Sequence, residues 1–144
     1  MKLVQANQIA SVEDYRIIDV EQPAAGPSEV LIEVAACGMG YVDALVALGG
    51  YQVKPPVPFT PGQEIAGSVV AIEDEIDGLA VGDRVMATAF GGGLAEYVVA
   101  KCAMVVKIPD NMTFAQAAGF RINYILPCTA FAIGAQCDPA SILQ

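Results

Sequence analysis

The hydrophobic positions of the first hundred residues come in short runs, which glycine, proline and acidic residues separate. Many of the runs are rich in valine and isoleucine, the side chains that favour extended backbone. The predicted strands cover residues 15–20, 30–36, 63–72, 84–89, 94–100 and 104–108. Many short strands at this spacing indicate a mainly β fold, either a barrel or a sandwich. The strand at residues 30–36 is apolar on both sides, so we expect both of its faces to be largely covered.

Helix and loop signals lie between and after these strands. Asp43 can cap a short helix at residues 44–48, and the four prolines of residues 51–61 predict a stiff loop. Thr113 predicts the N-cap of a later helix. Residues 120–144 are apolar but interrupted by two prolines and a glycine, and they give no assignable element. We therefore predict one domain over residues 1–118 and a helical or irregular segment over residues 119–144.

The charge of the chain narrows the classes of partner. Sixteen acidic and seven basic residues give a net charge of -9. Nucleic acids and anionic membranes both attract clustered Lys and Arg, so neither is an expected partner. No apolar run reaches the ~18 residues of a membrane helix. The first eight residues hold no continuous apolar stretch, so we expect no secretory signal and a cytoplasmic location.

The cysteine and histidine content of the chain limits the kinds of metal-binding and catalytic site that we expect. The chain has four cysteines, none in a Cys-x-x-Cys pair, and no histidine. Zinc prefers Cys and His ligands at close spacing, so no metal site is expected. The missing histidine also removes the usual general base and the Ser-His-Asp and Cys-His nucleophilic systems.

Six short motifs together carry a family resemblance. They are residues 30–38 (VLIEVAACG), 41–43 (YVD), 61–64 (PGQE), 81–85 (VGDRV), 93–98 (GLAEYV) and 108–110 (IPD). In this order and spacing they resemble the zinc-independent branch of the medium-chain dehydrogenase/reductases, the NADPH:quinone oxidoreductases. The resemblance implies that the chain has the GroES-like fold of their N-terminal half, a partly open β-barrel with a few short helices.

The resemblance also suggests substrate-pocket residues. Zinc-dependent relatives carry a Cys at the position of Gly40 and a His at that of Gln63, so both matched metal positions lack a ligand. Tyr51 matches an active-site tyrosine that can hydrogen-bond a carbonyl group. Tyr41 would lie on the pocket wall; alternatively, both tyrosines only close the mouth of the barrel. Gln63 can donate to a substrate oxygen, or it can fix its own loop.

Two further residues would contact the cofactor, which the resemblance implies to be NADPH. Quinone reductases usually have an Asn at the position of Gly40, where it contacts the nicotinamide and the substrate. Its absence here removes a hydrogen bond of about 1 kcal/mol or more. Asn123 matches an Asn in the segment that crosses into the cofactor domain of the full enzymes.

Other positions in or near these motifs are expected to serve the fold. We expect Glu64 to be structural, Asp83 and Arg84 to be turn and ion-pair residues, and Cys37 to be a small buried residue at a strand end. The three glycines at residues 91–93 have strands on both sides. A phosphate loop needs a helix after it, so a tight connection between strands is expected instead.

The family binds its cofactor with a Rossmann domain, whose Gly-rich βα turn has no match here. In a complete enzyme, hydride would pass from NADPH to a quinone or to the β-carbon of an enone. We expect this chain alone to be inactive, as a piece of a reductase or the product of an incomplete gene. Its apolar, proline-interrupted end favours these two explanations. The alternative is a stand-alone binding or assembly module. The apolar C-terminal segment could also join two copies into a homodimer.

Overall fold

The computed structural model describes residues 1–73 and 76–125. Within them the chain forms seven strands: β1 (Lys2–Gln5), β2 (Arg16–Asp19), β3 (Glu29–Gly38), β4 (Glu64–Ile72), β5 (Arg84–Thr88), β6 (Tyr97–Lys101) and β7 (Val105–Lys107). The two α-helices are α1 (Tyr41–Ala47) and α2 (Phe114–Ala118). Short helical turns of other types cover Val12–Asp14, Cys102–Met104 and Arg121–Ile125. The chain is therefore mainly β, as the strand pattern predicts.

The main sheet is antiparallel and curls into a partly open barrel. Its strand order is β6-β3-β4-β5-β7, so β6 and β7 lie at opposite edges. A flat sheet would hold these edges about 19 Å apart. Only Cys102–Met104 joins them, and that connection spans about 14 Å at most. Two register shifts between β3 and β4, at Leu31/Ile32 and Val34/Ala36, are local irregularities of the kind that bend a strand.

Alternate residues of the strands fill the inside of this barrel. The buried cluster consists of Val30, Ile32, Ile65, Val69, Val85, Ala87, Val98, Ala100 and Val105. A second cluster forms on the other face, where α2 packs on the sheet; it consists of Ala66, Met86, Ile108, Ala117 and Ala118. Both faces of β4 and β5 are thus largely covered. For residues 30–36 the expectation holds only in part, because Glu33 and Ala35 are exposed.

Helix α2 begins where its capping signal predicts. The Thr113 hydroxyl accepts a hydrogen bond from the Gln116 amide at 3.2 Å, and the Gln116 side chain accepts one from the Thr113 amide at 2.9 Å. This reciprocal capping box satisfies two amides that the first helical turn leaves free.

Helix α1 differs from its prediction. It begins at Tyr41, three residues before the predicted start, because the extended backbone of Gly40 leads directly into it. Asp43 is therefore a residue of the first turn and not the N-cap. Its carboxylate still serves the helix start, since it accepts the Gly40 amide at 2.9 Å.

Two other expectations for single residues have different outcomes. Asp83 is a turn and ion-pair residue as predicted: it accepts the Ala80 amide at 2.8 Å and pairs with Lys107 at 2.7 Å. Arg84 is not an ion-pair residue, since no acidic group pairs with it in the described part of the chain. Its guanidinium donates to backbone carbonyls of the segment before α2.

The N-terminal strand β1 had no predicted counterpart. It pairs with β2, and Val4 donates its amide to Leu94 while Lys2 accepts the Glu96 amide. These bonds occupy residues 94–96, so β6 begins only at Tyr97. The glycines at 91–93 do not form the predicted tight connection: they lie within the eight residues, 89–96, that separate β5 from β6, and these two strands are not neighbours in the sheet. Gly92 and Gly93 instead donate to the carbonyls of Thr60 and Gly62.

The predicted C-terminal segment, residues 119–144, is described only as far as residue 125. The proposed dimer contact through that segment falls mostly outside the described residues, and the boundary at residue 118 stays a prediction. Across residues 1–73 and 76–125, no helix has the length and apolar character needed to cross a membrane.

Candidate functional site

The carboxylate of Asp43 brings two of the predicted site residues together. Asp43 is 3% exposed. One carboxylate oxygen accepts the Gly40 amide at 2.9 Å and the other accepts the Gln63 amide at 3.1 Å. The start of α1 and the segment that enters β4 are therefore joined at one point. Two positions that match zinc ligands of the zinc-dependent relatives both lie at this point; they are Gly40 and Gln63.

The backbone of Gln63 is fixed without help from its side chain. Its amide is held by Asp43, and its carbonyl accepts the Ala89 amide at 2.9 Å. Within the described part of the chain, no hydrogen bond involves the side-chain amide of this half-buried residue. The loop is thus fixed by main-chain bonds, which leaves the side-chain amide as a candidate donor to a ligand.

The two tyrosines lie at opposite ends of α1. Tyr41 is the first helical residue and is 78% exposed, so its ring does not plug the barrel. Tyr51 is half-buried, and its amide donates to Leu45 at 3.2 Å. Tyr41 is next to Gly40 in the chain, whereas no hydrogen bond joins Tyr51 to the other candidates among the described residues.

Glu64 connects the site to the segment that follows α2. Its side chain is 6% exposed, and one carboxylate oxygen accepts the Ile122 amide at 2.8 Å. This bond confirms the structural role expected for Glu64, although the sequence does not identify its partner. Asn123 follows Ile122 and is exposed; its side-chain amide donates to Gly119 at 2.8 Å.

Cys37 lies close to both carboxylates and packs as a small uncharged residue. A Cβ atom added to Gly62 or to Gly93 would lie 2.6 or 3.0 Å from its sulfur, so these glycines leave the space that the sulfur fills. Burial, followed by the negative charges of Asp43 and Glu64, raises the pKa of the Cys37 thiol to about 11. Cys37 packs against the barrel cluster near the end of β3, as expected, but it is half-buried and not fully buried.

The donor set around Asp43 does not fit zinc. Gly40 has no side chain, and the neutral amide of Gln63 is a poor zinc ligand. The Asp43 and Glu64 carboxylates both accept backbone amides. Within residues 1–73 and 76–125, no three His, Cys, Asp or Glu side chains gather into a metal-binding group.

A concave surface that the sequence does not reveal lies beside α2. It has a volume of about 620 Å³ and is lined by Pro109, Asn111, Met112, Gln116, Gly119, Phe120 and Tyr124. The rings of Phe120 and Tyr124 stack at 5.0 Å between centroids. None of the five predicted site residues lines this hollow, so it is separate from the Asp43 region.

Curated proteins similar to this chain are longer than it is. The chain is 42% identical over 100 residues to "Quinone oxidoreductase-like protein 2 homolog" of Nematostella vectensis, across 69% of this chain and 27% of that protein. It is 34% identical over 125 residues to the human "Synaptic vesicle membrane protein VAT-1 homolog-like", across 87% of this chain and 30% of that protein. The chain thus spans about a third or less of the length of these relatives.

Solved structures share its fold. A probable oxidoreductase from Mycobacterium abscessus superposes with a TM-score of 0.87 at 38% identity, over 95% of this chain and 44% of that one. The quinone oxidoreductase of Thermus thermophilus, solved also in complex with NADPH, superposes with a TM-score of 0.80 at 29% identity, over 96% of this chain and 42% of that one.

A family model agrees with these similarities. Residues 26–110, more than half of the chain, match the alcohol dehydrogenase GroES-like domain. The matched range includes the Asp43 region, Gln63 and Glu64. The chain therefore belongs to the alcohol dehydrogenase GroES-like domain family, in the quinone oxidoreductase branch of the medium-chain dehydrogenase/reductases.

Proposed function

We propose that the Asp43 region is the acceptor-binding half of a zinc-independent, NADPH-dependent reductase of quinones or enones. The observation that carries this proposal is the pairing of Gly40 with Gln63 on one buried carboxylate. These residues match the two positions that zinc-dependent relatives use for metal, and here they would offer a neutral hydrogen-bond donor, Gln63, and an open backbone, Gly40. The names of the similar quinone oxidoreductases support the substrate class.

The residues of the chain would bind and orient the acceptor. The Gln63 amide and the Tyr51 hydroxyl would donate to its carbonyl oxygen, and Tyr41 would cover one side of the ring. NADPH, when bound, supplies the hydride. As the acceptor takes up two electrons, negative charge develops on its oxygen, where these donors stabilise it. Since no side chain here is an obvious acid, water would provide the proton.

The surroundings of Gly40 fit the approach of a nicotinamide ring. Among the residues that the structure describes, a Cβ atom added there would meet only the Asp43 carboxylate oxygen, at 3.6 Å. Gly40 and Asn123 would contribute one wall of the cofactor cleft. The printed sequence contains no Gly-rich βα unit to bind the pyrophosphate. We therefore also propose that this 144-residue chain does not turn over NADPH by itself.

Titration of the isotope-labelled chain with duroquinone tests the acceptor site. Amide shifts should concentrate at Gly40, Tyr51 and Gln63. Durene, which has the same methylated ring without the two carbonyl oxygens, should bind about tenfold more weakly, as expected for the loss of one or two hydrogen bonds. Equal affinity for both compounds, or shifts confined to the hollow beside α2, would contradict the proposal.

Two variants and one assay complete the test. Gln63→Ala and Tyr51→Phe should each weaken duroquinone binding several-fold, whereas Tyr97→Phe, which removes a hydroxyl bonded to Glu33, should not. NADPH absorbance at 340 nm should stay constant with the chain and duroquinone present. Steady NADPH oxidation would show that the chain is active alone. Absence of any duroquinone binding would favour a binding or assembly module of another kind.

A further inference from the structure

Two buried carboxylates flank the Gln63 backbone. Asp43 and Glu64, here called the carboxylate pair, are the buried charged residues that the structure describes, at 3% and 6% exposure. No Lys or Arg forms an ion pair with either of them in the described part of the chain. A buried charge without a cationic partner is costly unless hydrogen bonds compensate for its lost hydration. This compensation comes from backbone amides: those of Gly40 and Gln63 for Asp43, and that of Ile122 for Glu64.

These amide bonds join three parts of the fold. Asp43 holds Gly40 at the start of α1 and Gln63 before β4. Glu64, the first residue of β4, holds Ile122 in the turn after α2. Because Gln63 and Glu64 are adjacent, the two sets of bonds form one continuous connection from Gly40 to Ile122. Burial raises the pKa of Cys37, and the charges of both carboxylates raise it further, so both lie near its thiol.

The joined segments carry the two walls of the proposed cleft. Gln63 belongs to the acceptor wall, whereas Gly40 and Asn123, which follows Ile122, belong to the cofactor wall. Hydride transfer needs its reacting atoms about 3–3.5 Å apart, and a misplacement of about 1 Å can reduce the rate about a hundredfold. A rigid connection between the walls is therefore a requirement of this chemistry.

We propose that the carboxylate pair consists of positioning residues: Asp43 aligns Gly40 with Gln63, and Glu64 sets the cofactor wall at Asn123 relative to them. The positioning role of the carboxylate pair rests on the proposed function, whereas the hydrogen-bonded connection from Gly40 to Ile122 can be tested without any ligand. Asp43→Asn and Glu64→Gln keep the size of each side chain but replace a charged acceptor. Asp83→Asn is the matched control, because Asp83 also accepts a backbone amide but in a turn away from the site.

The first measurement needs only the wild-type chain. Scalar couplings across hydrogen bonds should link the Gly40 and Gln63 nitrogens to the Asp43 carboxyl carbon, and the Ile122 nitrogen to that of Glu64. Glu64→Gln should then speed amide hydrogen exchange at Ile122 by about tenfold or more, as expected when a bond to a charged acceptor is lost. Exchange at Val85, in the barrel core, should change much less. Missing couplings, or equal acceleration at Ile122 and Val85, would overturn the inference, and the couplings decide it even if a variant does not fold.

The second measurement separates positioning from general stability. Asp43→Asn should weaken duroquinone binding about tenfold, whereas Glu64→Gln and Asp83→Asn should leave it within about twofold, since neither holds the acceptor wall. Equal weakening by all three variants would show a structural effect only and overturn the positioning role. Normal couplings with no duroquinone binding by the wild-type chain would overturn the proposed function while supporting the connection.

Discussion

Gly38 lies directly against the carbonyl oxygen of Ala118. A Cβ atom added to Gly38 would come within 2.0 Å of that oxygen and within 2.9 Å of its carbon. Both of these atoms belong to the backbone, so no side-chain movement can relieve the contact. The end of β3 and the end of α2 therefore pack backbone to backbone, close to Cys37 and to the turn that Glu64 holds.

Gly38→Ala should destabilise the chain by about 2–3 kcal/mol, because β3 and α2 must separate to admit the methyl group. Urea unfolding followed by circular dichroism would measure the change. Gly119→Ala is the control: among the described residues a Cβ atom there has no neighbour within 4 Å, so we expect a change below about 0.5 kcal/mol. Equal stability of the two variants would contradict the backbone contact.

Arg84→Lys should cost about 1–2 kcal/mol although the charge is kept. The guanidinium donates to the carbonyls of Pro109, Asp110 and Met112 at 3.2, 3.0 and 2.5 Å, and lies 4.6 Å from the centre of the Phe114 ring. A lysine ammonium cannot reproduce this planar set of bonds. Urea unfolding of the variant would measure the loss.

Arg16→Lys is the matched control for that variant. Arg16 also donates to backbone carbonyls, but to those of Glu13 and Tyr15 in an exposed local turn. Its replacement should change the free energy of unfolding by less than about 0.5 kcal/mol. If both replacements are equally mild, the Arg84 contacts do not hold the segment before α2.

Cys37 should react slowly with iodoacetamide at pH 8. Its pKa of about 11 leaves the thiol protonated at that pH, and the thiolate is the reactive form. Peptide mapping by mass spectrometry would show the rate, with the urea-unfolded chain as the control. Reaction at Cys37 as fast in the folded as in the unfolded chain would contradict the burial of the thiol.

The same raised pKa should make stability depend on pH in the alkaline range. In the unfolded chain the thiol ionises at about pH 8.5, whereas in the folded chain it keeps its proton until about pH 11. The unfolded state thus binds fewer protons between these values, and the stabilising contribution, complete below about pH 8.5, is lost as the pH rises to about 11. Comparison with Cys37→Ser across this range would isolate the effect, since lysines and tyrosines titrate equally in both proteins.

Gly40→Asn should fold normally. Gly40 has φ -106° and ψ -179°, which any residue adopts, and the added Cβ atom meets only an ordinary contact. Loss of glycine flexibility in the unfolded chain should raise stability by about 0.5 kcal/mol. The variant also introduces the amide usual in quinone reductases, so duroquinone should bind several-fold more tightly. Gly62→Asn is the contrasting control: its φ of 98° and its contact with Cys37 predict destabilisation.

Local signals explain which parts of the fold the sequence predicts. The alternation of Val30 and Ile32 marks β3, and Thr113 with Gln116 marks the start of α2, because both signals lie within a few residues of the structure they specify. Strand β1 gives a weaker signal, since it is four residues long and its partners include the distant Leu94 and Glu96.

The site was predicted less completely for the same physical reason. Motif matches identify Gly40 and Gln63, but the bond from Asp43 to Gln63 spans 20 positions and that from Glu64 to Ile122 spans 58. Arg84 likewise binds carbonyls 25 to 28 positions later. An acidic or basic side chain does not show in its local sequence which distant amide or carbonyl it will meet.

The strand order has a consequence for how the chain is made. Strand β3 pairs on one side with the edge strand β6, so Glu29 must wait for Lys101 to be synthesised. At about 5–20 residues per second, one edge of β3 stays open for several seconds after it leaves the ribosome. Non-local pairing of this kind also folds slowly, on the order of milliseconds to seconds. During translation this edge of β3 therefore stays without its β6 partner until residues 97–101 have been made.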